Sequence, residues 1–516
     1  MKIKGPLRPI MFVGTASDVG KSVVTTGFCR IFKQDGYHPA PFKAQNMSLN
    51  SYATPESLEI GRAQAVQAEA CGIPCHTDMN PVLLKPTTDK SSQVIIHGRP
   101  AGNFSAAEYF LSDNRETLFT EVKKAYHRLA GQYSPIVMEG AGSISELNLK
   151  QRDITNMRMA SEAGAATYLV TDIDRGGIFG SLYGTMALLT PEEKVLIKGI
   201  IINKFRGDPQ LFVDGRKMLE ELCGVPVVGI LPFFRDIFIE AEDSIPYWQR
   251  QAGPNGGKWV RPTGGEQTGP TGREQTAQAG GKVNIAVVLL NRLSNFTDFD
   301  RLGQDSRVNL YYTREAAEIA QADIVILPGS KNTMEDLLVL QNNGAAAAIR
   351  QAFFDKKTVI GICGGYQMMG KWVEDPLHVE TAIDRVAGLG LLPVQTVMQG
   401  EKTTRQCGFR FRNSKEVCNG YEIHMGDTRA IGEESPLNYF PGGGTDGYFL
   451  HDKCWGTYLH GILDNPAVIN DLVAPYTDLP GETFDYRQFK DAQYDKLADL
   501  IRQHIDMAEI YKTLQS

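Results

Sequence analysis

The sequence predicts two α/β domains in series, each a mostly parallel sheet with helices on both faces, joined by a polar linker. Short, near-continuous apolar runs alternate with helical stretches over residues 1–249 and again over 283–516, the pattern of strands covered on both faces. Residues 250–282 break it. That stretch is rich in Gly, Gln, Thr and Pro, and it nearly repeats itself, Pro262-Thr263-Gly264-Gly265-Glu266-Gln267-Thr268 then Pro270-Thr271-Gly272-Arg273-Glu274-Gln275-Thr276. It carries too little apolar surface to offset chain entropy and reads as a flexible linker. At 516 residues the chain also exceeds what one hydrophobic core supports.

Taken in order, Ile10-Met11-Phe12-Val13 reads as a buried strand. A helix follows from about Gly20, with Val23, Val24, Phe28, Ile31 and Phe32 on its apolar face. Further strands are predicted at 136–138, 167–171, 198–202 and 227–231. In the second domain they fall at 284–289, 324–327 and 358–362. The tail from about Arg487 to Gln515 is predicted helical, because Phe489, Tyr494, Leu497, Leu500 and Ile501 recur at helical spacing. It is grouped with the domain that precedes it.

A net charge of −7 gives no basic footprint and argues against a nucleic-acid partner. No apolar run is long enough for a membrane span. Eight scattered cysteines and no signal-peptide pattern at the N-terminus suit a reducing cytoplasm. Cys71, Cys75 and His76 lack a second Cys/His pair at zinc-site spacing and read as structural.

Two motifs carry chemistry. Gly14-Thr15-Ala16-Ser17-Asp18-Val19-Gly20-Lys21-Ser22 lies between a predicted strand and a predicted helix, the context of a phosphate-binding loop. Gly14, Thr15 and Gly20 shape a backbone that wraps an anion, and the helix N-terminus favours its charge. Lys21 is placed on the β/γ phosphates of ATP and the Ser22 hydroxyl on Mg²⁺. Glu139 closes the strand 136–138 ahead of Gly140 and is a second candidate metal ligand at a strand's carboxyl end. Asn203 ends the strand 198–202 and is expected to hydrogen-bond the adenine. The second motif is Gly361-Ile362-Cys363-Gly364-Gly365-Tyr366-Gln367, a cysteine on a strand-to-helix turn. Its thiol is held out of the sheet and the following amides can stabilise an oxyanion. Gly329 marks the region of a second donor. His460, in Gly456-Thr457-Tyr458-Leu459-His460-Gly461, is the expected base for Cys363.

The loop spacing, with its first glycine one place early, resembles that of dethiobiotin synthetase and its relatives. That resemblance adds Glu59, in Glu59-Ile60-Gly61-Arg62-Ala63-Gln64, as a third candidate metal ligand. The second half resembles the class I glutamine amidotransferase domain, in which a glutamate two places after the histidine orients it. Ile462 stands there, so Asp464 and Glu422 remain alternatives for that task.

Together the halves resemble the corrinoid-amidating family of cobalamin synthesis, and within it the cobyric acid synthases. The most specific block is Lys43-Ala44-Gln45-Asn46-Met47-Ser48-Leu49-Asn50-Ser51, with Asp172 to Gly180, Asn203 to Asp208, Leu327 to Thr333 and Tyr421 to Gly426. The resemblance implies ATP- and glutamine-dependent amidation of carboxylates b, d, e and g of adenosylcobyrinic acid a,c-diamide. Lys43 would touch the γ-phosphate, Asn46, Ser48 and Asn50 would face the corrinoid, and Gly329 and Gln367 would face glutamine. The rival expectations are an a,c-diamide synthase, another amidotransferase of the same two halves, or a non-catalytic P-loop regulator.

Overall fold

A computed structural model describes residues 5–88, 90–105, 109, 115–242, 282–481 and 484–515. The expected linker, apart from Lys282, lies outside the described residues. The first domain is built on an all-parallel sheet in the order Val227–Pro232, Ile197–Phe205, Ala166–Asp172, Ile10–Gly14, Ile136–Glu139, Ala40–Phe42. Ile10–Gly14 and Ala166–Asp172 are buried at every position, which is why they read as unbroken apolar runs. The parallel register brings Gly14, Glu139, Asp172 and Asn203 to one edge of the sheet, where strands give way to loops. Beside it stands a small sheet ordered Gln45–Met47, Val82–Pro86, Ser91–Ile96, Arg99–Ser105, which the apolar pattern does not announce.

The second domain repeats the layering. Val308–Thr313, Val283–Val288, Ile324–Leu327, Thr358–Ile362 and Cys454–Thr457 are parallel neighbours, and Tyr448–His451 closes the edge antiparallel. A long antiparallel pair, Val394–Phe411 with Cys418–Ala430, leans over this sheet. Many of its residues are half-exposed, so it lacks the apolar density that marks the core strands.

The tail forms the helices Tyr486–His504 and Met507–Gln515, and it leaves the domain it follows. Tyr494, Leu497, Ala498, Ile501, Ile510 and Leu514 share a core with Phe12, Phe28 and Phe32 of the first domain. Arg30 binds Asp495 at 2.6 Å and Asp491 at 3.1 Å. Gly27 permits the approach, since a Cβ there would lie 2.2 Å from Ile501 Cδ1. Grouping the tail with residues 283–481 is therefore corrected: sequence order does not decide which apolar face a helix covers. Ile501→Ala is expected to destabilise the first domain by about 2–5 kcal/mol. An unchanged denaturant midpoint would contradict that placement.

Candidate active sites

The first site forms where the loop after Ile10–Gly14 turns into the helix Lys21–Gln34. Gly20 has φ 100°, a conformation that costs glycine little, and a Cβ there would lie 2.1 Å from Asn203 Nδ2. Lys21 Nζ donates to the carbonyls of Ala16 (3.0 Å) and Gly142 (2.9 Å), which draw it back over the loop. Burial lowers its pKa, against the pull of Glu139. The Ser22 hydroxyl lies 2.9 Å from Glu139 and 2.5 Å from Glu242. Lys43 Nζ bridges the same two carboxylates, at 2.9 Å and 2.6 Å. Gln67 donates to the other Glu139 oxygen at 2.7 Å. Burial raises the pKa of both carboxyls. Lys43 reverses this at Glu242, which ends below its ordinary value, whereas Glu139 stays above. A cavity of about 1260 Å³ opens here, lined by Lys21, Ser22, Lys43, Asn46, Glu139 and Glu242 among others.

One hydroxyl and two carboxylates, all oxygen donors, suit a hard cation such as Mg²⁺. The structure brings Ser22 and Glu139 together as expected of a metal site. It adds Glu242, which sequence reasoning missed because that residue stands outside any recognised strand.

Other expected residues are engaged elsewhere. Glu59 is corrected as a metal ligand. Its carboxylate, fully enclosed, accepts from Lys85 Nζ at 2.8 Å and from Lys402 Nζ, and it does not line the nucleotide cavity. Burial alone would raise its pKa, but the two ammonium groups hold it well below the carboxylate range. Asn203, expected at the adenine, is engaged with the loop itself. Its Nδ2 donates to the Val19 carbonyl at 2.8 Å and its Oδ1 accepts from the Lys204 amide at 2.8 Å, so it braces the loop. Thr15 also braces it, its hydroxyl 3.1 Å from that of Thr171. Asn46 lines the cavity while donating to Gln64 at 3.0 Å. Ser48 and Asn50 do not face the cavity. Both donate to the Glu242 carbonyl, at 3.0 and 3.1 Å, and Asn50 Oδ1 accepts from the Phe296 amide of the second domain at 3.0 Å. They join Glu242 to the second domain.

The second site forms where Thr358–Ile362 meets the helix Gly364–Met369. Cys363 has φ 51° and is buried, the strained turn that lifts a thiol off a sheet. Gly365 allows the helix to press on Leu327, whose carbonyl oxygen lies 2.0 Å from where a Cβ would sit. The Ser330 nitrogen lies 2.7 Å from the equivalent point on Gly364. That presses the Ser330 turn, one residue beyond Gly329, against the turn that carries the thiol. Gln367 is buried, accepts from Thr333 Oγ1 at 2.9 Å and donates to Tyr458 at 3.3 Å.

His460 is held by a residue the sequence reading did not name. Its Nδ1 donates to Asp298 Oδ2 at 2.7 Å, and the Gly461 amide donates to Asp298 Oδ1 at 3.0 Å. Tyr421 stacks on the ring at 5.3 Å. Burial would lower the imidazole pKa, but hydrogen-bonded Asp298 and the neighbouring Cys363 raise it to about 10; the Cys363 thiol itself points to the Ile423 carbonyl at 3.6 Å. Neither alternative considered for orienting His460 does so. Glu422 pairs with Arg405, and Asp464 is a buried acid raised to about 7 chiefly by burial. Cys363, Gln367 and His460 line one small pocket, together with Lys85 of the first domain.

Comparison with known proteins gives matches over the whole chain. Residues 10–246 match the CobQ/CobB/MinD/ParA nucleotide binding domain and residues 284–468 the CobB/CobQ-like glutamine amidotransferase domain. A cobyric acid synthase of Parabacteroides distasonis is 58% identical over 520 residues, covering 100% of both chains. One of Bacteroides fragilis is 57% identical over 512 residues, covering 98% of each. A cobyric acid synthase of Syntrophobacter fumaroxidans is 45% identical, covering 99% of each.

Proposed function

The chain belongs to the cobyric acid synthase family, and from that membership we propose that it amidates carboxylates b, d, e and g of adenosylcobyrinic acid a,c-diamide to give adenosylcobyric acid. It is an ATP-dependent, glutamine-hydrolysing amidoligase of cobalamin biosynthesis. The observation that supports ATP- and glutamine-dependent amidation is the joint presence of a Lys21–Ser22–Glu139–Glu242 cluster and a Cys363–His460–Asp298 array in one chain, and the choice of carboxylates rests on the family.

A carboxylate resists attack because its charge and resonance oppose a nucleophile. In the proposed first half-reaction the corrinoid carboxylate takes the γ-phosphoryl group of ATP, which leaves it an acyl phosphate and releases ADP. Lys21 and Lys43 bring positive charge to the phosphates, and the amides of the loop hold them in line. Ser22, Glu139 and Glu242 would hold Mg²⁺; when bound, it neutralises charge on the phosphates. Lys43 now bridges the two carboxylates, so a cation there would free it to turn toward nucleotide.

In the second site the Cys363 thiolate attacks the side-chain amide of glutamine. His460 gives its proton to the departing ammonia, and the Ser330 and Gly364 amides face the oxyanion. Water then cleaves the thioester. Ammonia displaces phosphate from the acyl phosphate in the first site. Because ammonium is not nucleophilic, a shielded route between the sites would conserve the reactive form. The eight cysteines are free, and no described helix is long and apolar enough to cross a membrane. We place the reaction in the cytoplasm.

Incubation of the a,c-diamide corrinoid with ATP, Mg²⁺ and glutamine is expected to give stepwise acid-to-amide mass losses at b, d, e and g, read by mass spectrometry. Turnover of unamidated cobyrinic acid to the a,c-diamide alone would identify an a,c-diamide synthase instead. Lys21→Ala is expected to reduce ATP-dependent amidation roughly 10²-fold or more. Glutaminase activity measured alongside it separates loss of the nucleotide site from misfolding.

A further inference from the structure

The pocket that holds Cys363 contains charges the hydrolysis itself does not use. Lys85, Lys331, Glu380 and Lys402 all line it. Lys85 and Lys402 are both tied to Glu59. Lys331 is 8% exposed, and its ammonium group has no hydrogen bond or ion pair among the described residues. It sits one residue beyond Ser330, just ahead of the helix Thr333–Asn342, and its backbone amide donates to the Arg292 carbonyl at 2.9 Å. Glu380 is equally anchored. One of its oxygens accepts from the Thr333 amide at 3.0 Å. Its turn is pinned by Asp375, which accepts from the amides of Val379, Glu380 and Thr381 at 2.9–3.1 Å. The other Glu380 oxygen has no hydrogen bond among the described residues. The Lys331 and Glu380 charges act on one another without closing an ion pair.

A buried cation and a half-buried anion, neither closing an ion pair on the other and each with unused hydrogen-bonding capacity, describe a receptor for a zwitterion. We propose that Lys331 binds the α-carboxylate and Glu380 the α-ammonium of glutamine, and that this clasp selects glutamine over amides lacking either group. The inference rests on glutamine hydrolysis at Cys363. Burial supports it: it lowers the pKa of Lys331 and raises that of Glu380 to about 7, so each gains from an arriving opposite charge. The two groups touch neither the thiol chemistry nor the nucleotide, so their effect falls on substrate choice.

The test measures amide hydrolysis by the full chain with glutamine, γ-aminobutyramide (no α-carboxylate) and glutaramate (no α-amino group). Lys331→Ala is expected to lower kcat/KM for glutamine roughly 10- to 100-fold, mainly through KM, while γ-aminobutyramide is used as by the unaltered protein. Glu380→Gln is expected to do the same for glutamine and to leave glutaramate unaffected. It also serves if Lys331→Ala fails to fold. Lys331→Arg restores glutamine KM. Equal losses for glutamine and the truncated amide, or losses confined to kcat, would overturn the clasp. Failure of the unaltered protein to hydrolyse glutamine would instead remove the glutaminase assignment beneath it.

Discussion

Cys363→Ala is expected to abolish glutamine-supported amidation, by roughly 10⁴-fold or more, while ammonium-supported amidation persists. An alanine methyl cannot attack a carbonyl, so no thioester forms. The Ser330 and Gly364 amides and the glutamine pocket remain, but they act on an intermediate that is no longer made. The nucleotide cluster lies in the other domain, and its cavity does not include Cys363. Acyl phosphate therefore still forms and waits for nitrogen. Ammonium salts supply it increasingly as pH rises and the neutral base becomes abundant. The measurement is a paired assay, corrinoid amide formed with glutamine and with ammonium chloride at several pH values. Retained glutamine-supported turnover would remove Cys363 from the mechanism. Loss of both activities would show that the substitution had disturbed the fold.

Asp298→Asn is expected to lower glutamine-supported turnover by roughly 10²- to 10⁴-fold with Cys363 and His460 still present. Asp298 does two things for the imidazole. Its Oδ2 fixes Nδ1 as the donor, leaving the other ring nitrogen for Cys363, and its charge stabilises the imidazolium. An asparagine of the same shape supplies no charge and can present a donor where an acceptor is needed. Stability follows with a definite sign. His460 has a folded pKa raised from 6.5 to about 10, so its protonation stabilises the fold fully below about pH 6.5, and this contribution is lost as pH rises through about 10. Asp298→Asn removes most of it. Thermal unfolding of the variant should thus vary less than that of the unaltered protein between those pH values. Parallel profiles would show that Asp298 does not set the imidazole charge.

The core strands were legible because both faces of each are buried, which leaves unbroken apolar runs such as Ile10–Gly14 and Thr358–Ile362. Val394–Phe411 and its partner strand were not, since half-exposed positions dilute the pattern. Cys363 and His460 could be named because the turn around the cysteine demands small neighbours that mark it in the chain. Asp298 could not. It lies 162 positions before His460 on a single turn, Phe296–Phe299, and no local spacing links the two. Glu59 shows the opposite failure. A motif placed it at the metal, but its partner Lys402 arrives from 343 positions away, and a long-range ion pair leaves no local trace. Glu242 was hidden by its neighbourhood, a segment beyond the strand Val227–Pro232 with no strand of its own to signal which way its side chain turns.

The return of Tyr486–His504 and Met507–Gln515 to the first domain bears on how the molecule is made. Phe28 and Phe32 share their core with residues that are synthesised long after them. During translation the nucleotide-handling half waits with that apolar face bare until residues 486–515 have been made, while the other half can close earlier. A nascent chain cut short near residue 480 would therefore expose its defect in the half synthesised first, and chaperone capture should be strongest there.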